Sequence, residues 1–281
     1  MATAQAETRR AVRTAEIPTE ALIRLAEAMV GGVILLLALQ YILGFDLLDA
    51  GLWQAHARRF VNGILGTLGY VALILPVSVG LGFTLGWARV LRFRAISWPV
   101  AVYVDFFRGV PPLVVVIFAS ILGPLALPER FQSEGLGLTL GAIAIAAHSA
   151  AYQAEIFRAG FQSVSRGQLE AAQAIGMTPS GSMQHVILPQ ALRLSLPPLA
   201  NEFAVVIKDT SLLAAIGADE LFRLSSFTQQ SIIRGGGEVE WLFVIWTSAA
   251  VVYFLMTFVV TRFMRLLERK FHARGLEGIS I

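Results

Sequence analysis

Long uncharged, mostly apolar runs dominate the pattern along this chain. Runs at 28–45, 60–87, 109–127, 135–154 and 241–261 approach or exceed the ~20 residues that carry a helix across a bilayer core. A sixth run, 194–217, is apolar enough to span although it contains Glu202, Lys208 and Asp209. The pattern therefore predicts an all-α integral membrane protein with six transmembrane helices. The first run is too long for the apolar core of a secretory signal, and more than 20 residues precede it, so it reads as an anchored helix. Residues 95–127 are too many for one straight crossing, and Gly109-Val110-Pro111-Pro112 predicts a break because proline lacks an amide donor. Pro197-Pro198 likewise predicts a restart before Glu202, after a lead-in helix ending at Ser195.

Composition agrees with the pattern. Of 281 residues, 56% are hydrophobic and 15% charged, whereas soluble domains carry about 25% charged residues. The absence of cysteine excludes disulfides and thiolate chemistry. With six spans, both termini and the 88–96 and 160–193 loops share one side. That side holds fifteen of the 22 basic residues, against five on the other. The imbalance places both termini in the cytoplasm. Four dispersed histidines give no metal-ligand spacing. The only lysines, Lys208 and Lys270, precede Asp209 and Phe271, so neither closes a phosphate-binding loop. No nucleophile–base set stands out and no nucleic-acid partner is expected. Any energy source is a partner protein or an ion gradient.

The largest polar insertion is the loop 160–193. Gly167 to Ile175 reads as a short helix closed by Gly176, and Thr178-Pro179 restarts a helix as N-cap and first residue. Two short helices with Ala171, Ala172 and Ala174 on them suit either a plug for a cleft on another protein or a surface connector. Ionisable groups inside spans are costly and mark pairs, cavities or functional sites. Glu202 and Asp209, seven apart, share a helix face, and Glu202 suits the ammonium of a zwitterion, with Asn201 or Thr210 as neutral partners. Lys208-Asp209 reads as a structural pair. Arg108 is expected to pair with Asp105 or Glu155, and Glu155 with Arg158 at the helix end. Trp241, Trp246 and Tyr253 read as membrane-belt or lipid-facing aromatics, and Gly31-Gly32 as a site of close packing on the core.

Glu170-Ala171-Ala172, then Gly176, then Val186-Ile187-Leu188-Pro189 resembles the EAA-x3-G-x9-I-x-LP loop of bacterial ABC-importer permeases, with Val186 for the usual Ile. Three further segments are similar to the polar amino-acid uptake subfamily. Tyr103 to Pro111 resembles Y-x-E-x-x-R-G-T-P, with Asp105 for Glu and Val110 for Thr. Ala151 to Arg158 resembles A-Y-x-x-E-x-x-R, and Asn201-Glu202 with Lys208-Asp209-Thr210-Ser211-Leu212 resembles N…K-D-T-S-L. The resemblance covers about residues 60–270. It implies a five-helix type I importer permease core at 58–270, with the loop 160–193 docking a separate ATPase through Glu170, Ala171, Ala172, Gly176, Leu188 and Pro189. It also implies a bacterial inner-membrane location, a second permease subunit (the same chain or a sister), two ATPase copies, and an external solute-binding protein. ATP and Mg would sit on the ATPase, with no cofactor on this chain. An arm at 1–20, an extra helix at 21–48 and a tail at 271–281 fall outside that core. A self-contained ion-coupled transporter or channel, with the buried carboxylates carrying ions, is the alternative; it leaves the loop pattern unexplained.

Overall fold

The computed structural model describes residues 19–91 and 93–271. The expected arm up to residue 18 and the tail from 272 lie outside them. Among the described residues there is no strand. Helix α1 (Thr19–Leu43) ends at Gly44, whose φ of 70° suits a residue without Cβ. Phe45 then buries itself beside Phe243, and Trp53 donates its indole N–H to Leu47 O at 2.9 Å. Asp49 caps α2 (Ala50–Val90) by accepting from Leu52 N at 2.7 Å. At 41 residues α2 is about 60 Å long, twice a hydrocarbon core, and starts ten residues before the apolar run.

Helices α3 (Arg94–Gly109) and α4 (Pro112–Ala126) meet at 105°, with the break at Val110-Pro111 where the sequence predicts one. Then come α5 (Leu136–Ser163), the short α6 (Arg166–Ala174) and α7 (Pro179–Ser182), and a π-helical turn, Met183–Ile187, leading into α8 (Leu188–Asp209). A 3₁₀ segment, Thr210–Ile216, joins α8 to α9 (Leu221–Arg234), and α10 (Glu240–Phe271) follows.

Two expectations for residues 194–217 need correction. The run 194–217 is not one helix: at Asp209 it tightens to a 3₁₀ path closed by Gly217 at φ 90°. Pro197 and Pro198 do not interrupt α8, which runs continuously through both. Their rings lie on the exposed side of the helix, clear of the packed core.

α5 is the centre, packed against α2, α4, α8 and α3, with α10 on α8 and α9 on α2. Its buried face is built from Ala142, Ala146, Ala150, Ala151 and Ala154, and small residues let helices approach closely where lipid supplies no hydrophobic drive. Opposite them stand Gly82 and Gly86 of α2. A Cβ on Gly82 would lie 2.6 Å from Gln153 Cβ, and one on Gly86 2.7 Å from both Ala154 O and Phe157 Cβ. By contrast, Gly31 and Gly32, expected to pack closely, have nothing within 4 Å, so the close-packing glycines are in α2 rather than α1. Among the described residues α2 and α10 are long and apolar enough to cross a membrane, and the bent α3–α4 pair is apolar enough for a broken span or a re-entrant loop. α5 is less apolar than these because polar residues, His148, Ser149 and Gln153 among them, are buried against protein within it.

Candidate functional site

Three of the sequence motifs converge on α5. From the first, Tyr103 donates its hydroxyl to Ala147 O at 2.8 Å, and Arg108 lies over the Tyr152 ring at 5.5 Å. Tyr152 belongs to the second motif. From the third, Glu202 Oε1 accepts the Ser149 hydroxyl at 2.8 Å. Ser149 Oγ in turn accepts from Gln153 Nε2 at 2.9 Å, and the same amide nitrogen donates to Ser78 Oγ of α2, also at 2.9 Å. Gln153, Ser149 and Ser78 are buried, while Glu202 is half-buried at the open end of the chain of bonds. Its second oxygen has no protein partner among the described residues, which leaves a carboxylate edge for a cationic group.

The other candidates sit as follows. Asn201 is exposed one residue away, on a different face of α8 from the Ser149 contact. Thr210 is fully buried and donates its hydroxyl to Ile207 O at 2.7 Å, closed back on its own helix. Lys208 is exposed and Asp209 half-buried, and no ion pair joins them. Asp105 is exposed. Arg108 pairs with neither Asp105 nor Glu155, contrary to expectation. Its guanidinium is held on the Tyr152 face, and Glu155 already has two partners: Arg89 Nη1 at 2.7 Å and Arg158 Nη2 at 2.7 Å. Arg158 also reaches Gln162 Oε1 at 2.7 Å. This cluster ties the ends of α2 and α5 together.

Beyond it stands the 166–187 element. Gly176 takes φ 86° and its N–H bonds Gln173 O at 2.9 Å, while Met177 N–H reaches back to Ala172 O at 3.1 Å, closing α6 as the glycine predicts. Thr178 caps the next turn through Gly181 N–H at 3.1 Å, with Pro179 as first residue. Ala172 is buried against the body; Glu170, Ala171 and Ala174 are exposed, and Ile175, at 80% exposed, is an apolar knob at the tip. Leu188 packs half-buried on a core of Phe157, Phe161, Ala191 and Met264, and Pro189 is half-buried as the second residue of α8. The element is thus rooted in the helical core yet free at its tip.

At the opposite end the sequence reading missed Glu220. It is fully buried, and its carboxylate caps α9 by accepting from Phe222 N at 2.8 Å and Arg223 N at 2.6 Å. Tyr253 donates its hydroxyl to the same carboxylate at 2.8 Å, and Trp246 donates to Gln229 Oε1 at 2.6 Å. Tyr253 and Trp246 are therefore inward anchors of α9, a correction to their reading as lipid-facing aromatics: each spends its polar tip on a protein partner. Thr67 accepts from Leu221 N at 3.1 Å, and a Cβ on Gly63 would lie 2.9 Å from Leu221 Cα. The acidic residue just before the amphipathic stretch 221–234 was the available signal. Glu220→Ala removes the cap and strands the Tyr253 hydroxyl. It is expected to cost ~2–4 kcal/mol, seen as a lower Tm of the purified protein, and an unchanged Tm would contradict the anchoring role.

Residues 78–273 match the family described as binding-protein-dependent transport system inner membrane component, and the chain belongs to that family. It is a permease, the membrane component of such a transport system. Its relatives include the glutamine transport system permease protein GlnP of Escherichia coli (strain K12), 35% identical over 79% of this chain and 96% of its own length. The L-cystine transport system permease protein TcyB of Bacillus subtilis (strain 168) is 34% identical over 80% of this chain and 90% of its own. Among solved structures, an amino acid ABC transporter crystallised with histidines superposes with TM-score 0.67 at 30% identity, over 80% of this chain and 98% of that one. The MetNI methionine ABC transporter, in an inward-facing form, shares the fold at TM-score 0.58 and 16% identity, over 80% of this chain and 100% of that one.

Proposed function

We propose that this chain forms the translocation path of an ATP-driven importer for a polar amino acid or a related small zwitterion, and that the 160–193 loop couples it to a separate ATPase. The observation that carries this reading is the 166–187 element: two capped helical turns rooted in the core, with Ile175 presented at the tip. What supports docking is the fixed geometry of the element: the closure at Gly176 and the cap at Thr178 hold the exposed Glu170, Ala171 and Ile175 out from the core, where a partner can meet them. The relatives named for glutamine and cystine transport support an amino-acid substrate. The arginine asymmetry supports six spans with both termini and this loop in the cytoplasm.

In this reading two ATPase subunits, holding ATP and Mg, close on nucleotide and carry the loops of two permease subunits with them. An external binding protein delivers the ligand. Inside the membrane, Glu202 receives the ligand ammonium on its free oxygen while Ser149 holds the other. Such switching requires that ATP-bound and ATP-free states differ in their contacts to the loop.

The loop is tested by Ile175→Asp and Gly176→Val. The first puts a charge on the docking tip; the second forces a β-branched residue into the left-handed region. In proteoliposomes each is expected to lower ATP-driven uptake by about tenfold, the effect of ~1.4 kcal/mol lost from the docked state, and ligand-stimulated hydrolysis in step with it. Undiminished stimulation in both variants would overturn the coupling role.

A further inference from the structure

We propose that Gln153 is a positioning residue for Glu202, acting through Ser149, and that it thereby sets the preference of the path for ligands bearing an ammonium. The proposal rests on the reading of Glu202 as the ligand contact.

The directions of the hydrogen bonds carry it. A serine hydroxyl has one proton and a carboxylate has none to give. Ser149 therefore donates to Glu202 and accepts from Gln153. Serines and threonines inside helices commonly donate back to the carbonyl four residues earlier, as Thr84, Ser163, Ser195 and Ser226 do here. Ser149 does not; its proton points across to α8. With the Gln153 amide reversed, Oε1 would face the Ser149 and Ser78 hydroxyls and take both protons, releasing Glu202 from Ser149 and Ser78 from Leu75 O. The amide nitrogen thus holds Ser149 in its donor role.

A merely structural role, glue between α2 and α5, accounts for the Ser78 bond alone. It leaves unexplained why the same nitrogen also grips Ser149, on its own helix, at 2.9 Å. Gln153 is 0% exposed and so cannot touch a ligand itself. Its influence passes through Ser149 or not at all.

The test uses the complete permease–ATPase complex. Gln153→Met keeps the side-chain length without the amide, and Gln153→Glu keeps the shape but replaces the donor by an acceptor. With radiolabelled L-glutamine and L-histidine as probes, each variant is expected to raise KM about five- to tenfold while the maximal rate changes less than twofold. Ser149→Ala should do the same, and Gln153→Met in the Ser149→Ala background should add nothing, since both act on one bond. Additive effects, or a fallen maximal rate at unchanged KM, would overturn the proposal.

A ligand-free measurement separates it from the reading it rests on. The infrared carboxylate band lost in Glu202→Gln should shift equally in Gln153→Met and Ser149→Ala. If Glu202→Gln leaves KM unchanged, the ligand role of Glu202 fails, and the band still decides the positioning. An unshifted band in Gln153→Met would refute it.

Discussion

Glu202→Gln is expected to cut the efficiency of ATP-driven amino-acid uptake by about a hundredfold, which is ~2.7 kcal/mol of lost stabilisation. The substitution keeps the shape and still accepts the Ser149 hydroxyl now bonded at 2.8 Å, so it isolates the charge. Removing one partner of a desolvated ion pair typically costs about 2–5 kcal/mol, and the estimate lies at the lower end because Glu202 is only half-buried. The loss should fall on KM, with the permease still copurifying with its ATPase. Steady-state uptake in proteoliposomes checks it, and unchanged kinetics would remove Glu202 from the path.

A second large effect is expected at the α2–α5 seam. Gly82→Leu places a Cβ 2.6 Å from Gln153 Cβ and 3.1 Å from Ala150 O, neither of which is the end of a flexible side chain. The two helices must separate, and with them goes the register that brings Ser78 to Gln153. Overpacking of this kind costs about 1–3 kcal/mol, and more where backbone must move, enough to lower both Tm and yield. Gly80, two residues away on the same helix, has nothing within 4 Å of its Cβ position, so Gly80→Leu should be tolerated. The yield and Tm of detergent-purified protein compare the pair. A Gly82→Leu protein that melts like the parent would show that the seam is looser than its geometry.

The contrast between what the sequence disclosed and what it concealed follows the range of the interactions. Glycine and proline act locally, so the closure at Gly176, the restart at Thr178-Pro179 and the break at Val110-Pro111 were legible. The i,i+3 pair Glu155–Arg158 was legible for the same reason. Arg89 joining it from 66 positions upstream was not. Gln153 passed as a variable position of a motif, since its partners are set by helix packing and one of them, Ser78, lies 75 residues away. Ser78, Gly82 and Gly86 do recur at intervals of four, a small-residue face visible in principle, but it vanishes within a long hydropathic run. Hydropathy counts how apolar a residue is and not what faces it. That is why Trp246 and Tyr253 passed for lipid-facing aromatics, and why α5, the most enclosed helix, scores as less membrane-like than α10. Pro197-Pro198 misled because a proline rule derived from helix interiors ignores which side of the helix the ring occupies.

The central claim is that this permease works by docking a separate ATPase through the element tipped by Ile175. Mass spectrometry of the intact complex, released gently from its native membrane, tests it most directly. The account predicts a mass containing two permease subunits and two ATPase subunits, with Ile175→Asp retaining fewer ATPases. A lone chain or plain homo-oligomer that transports amino acids without any ATPase would contradict it.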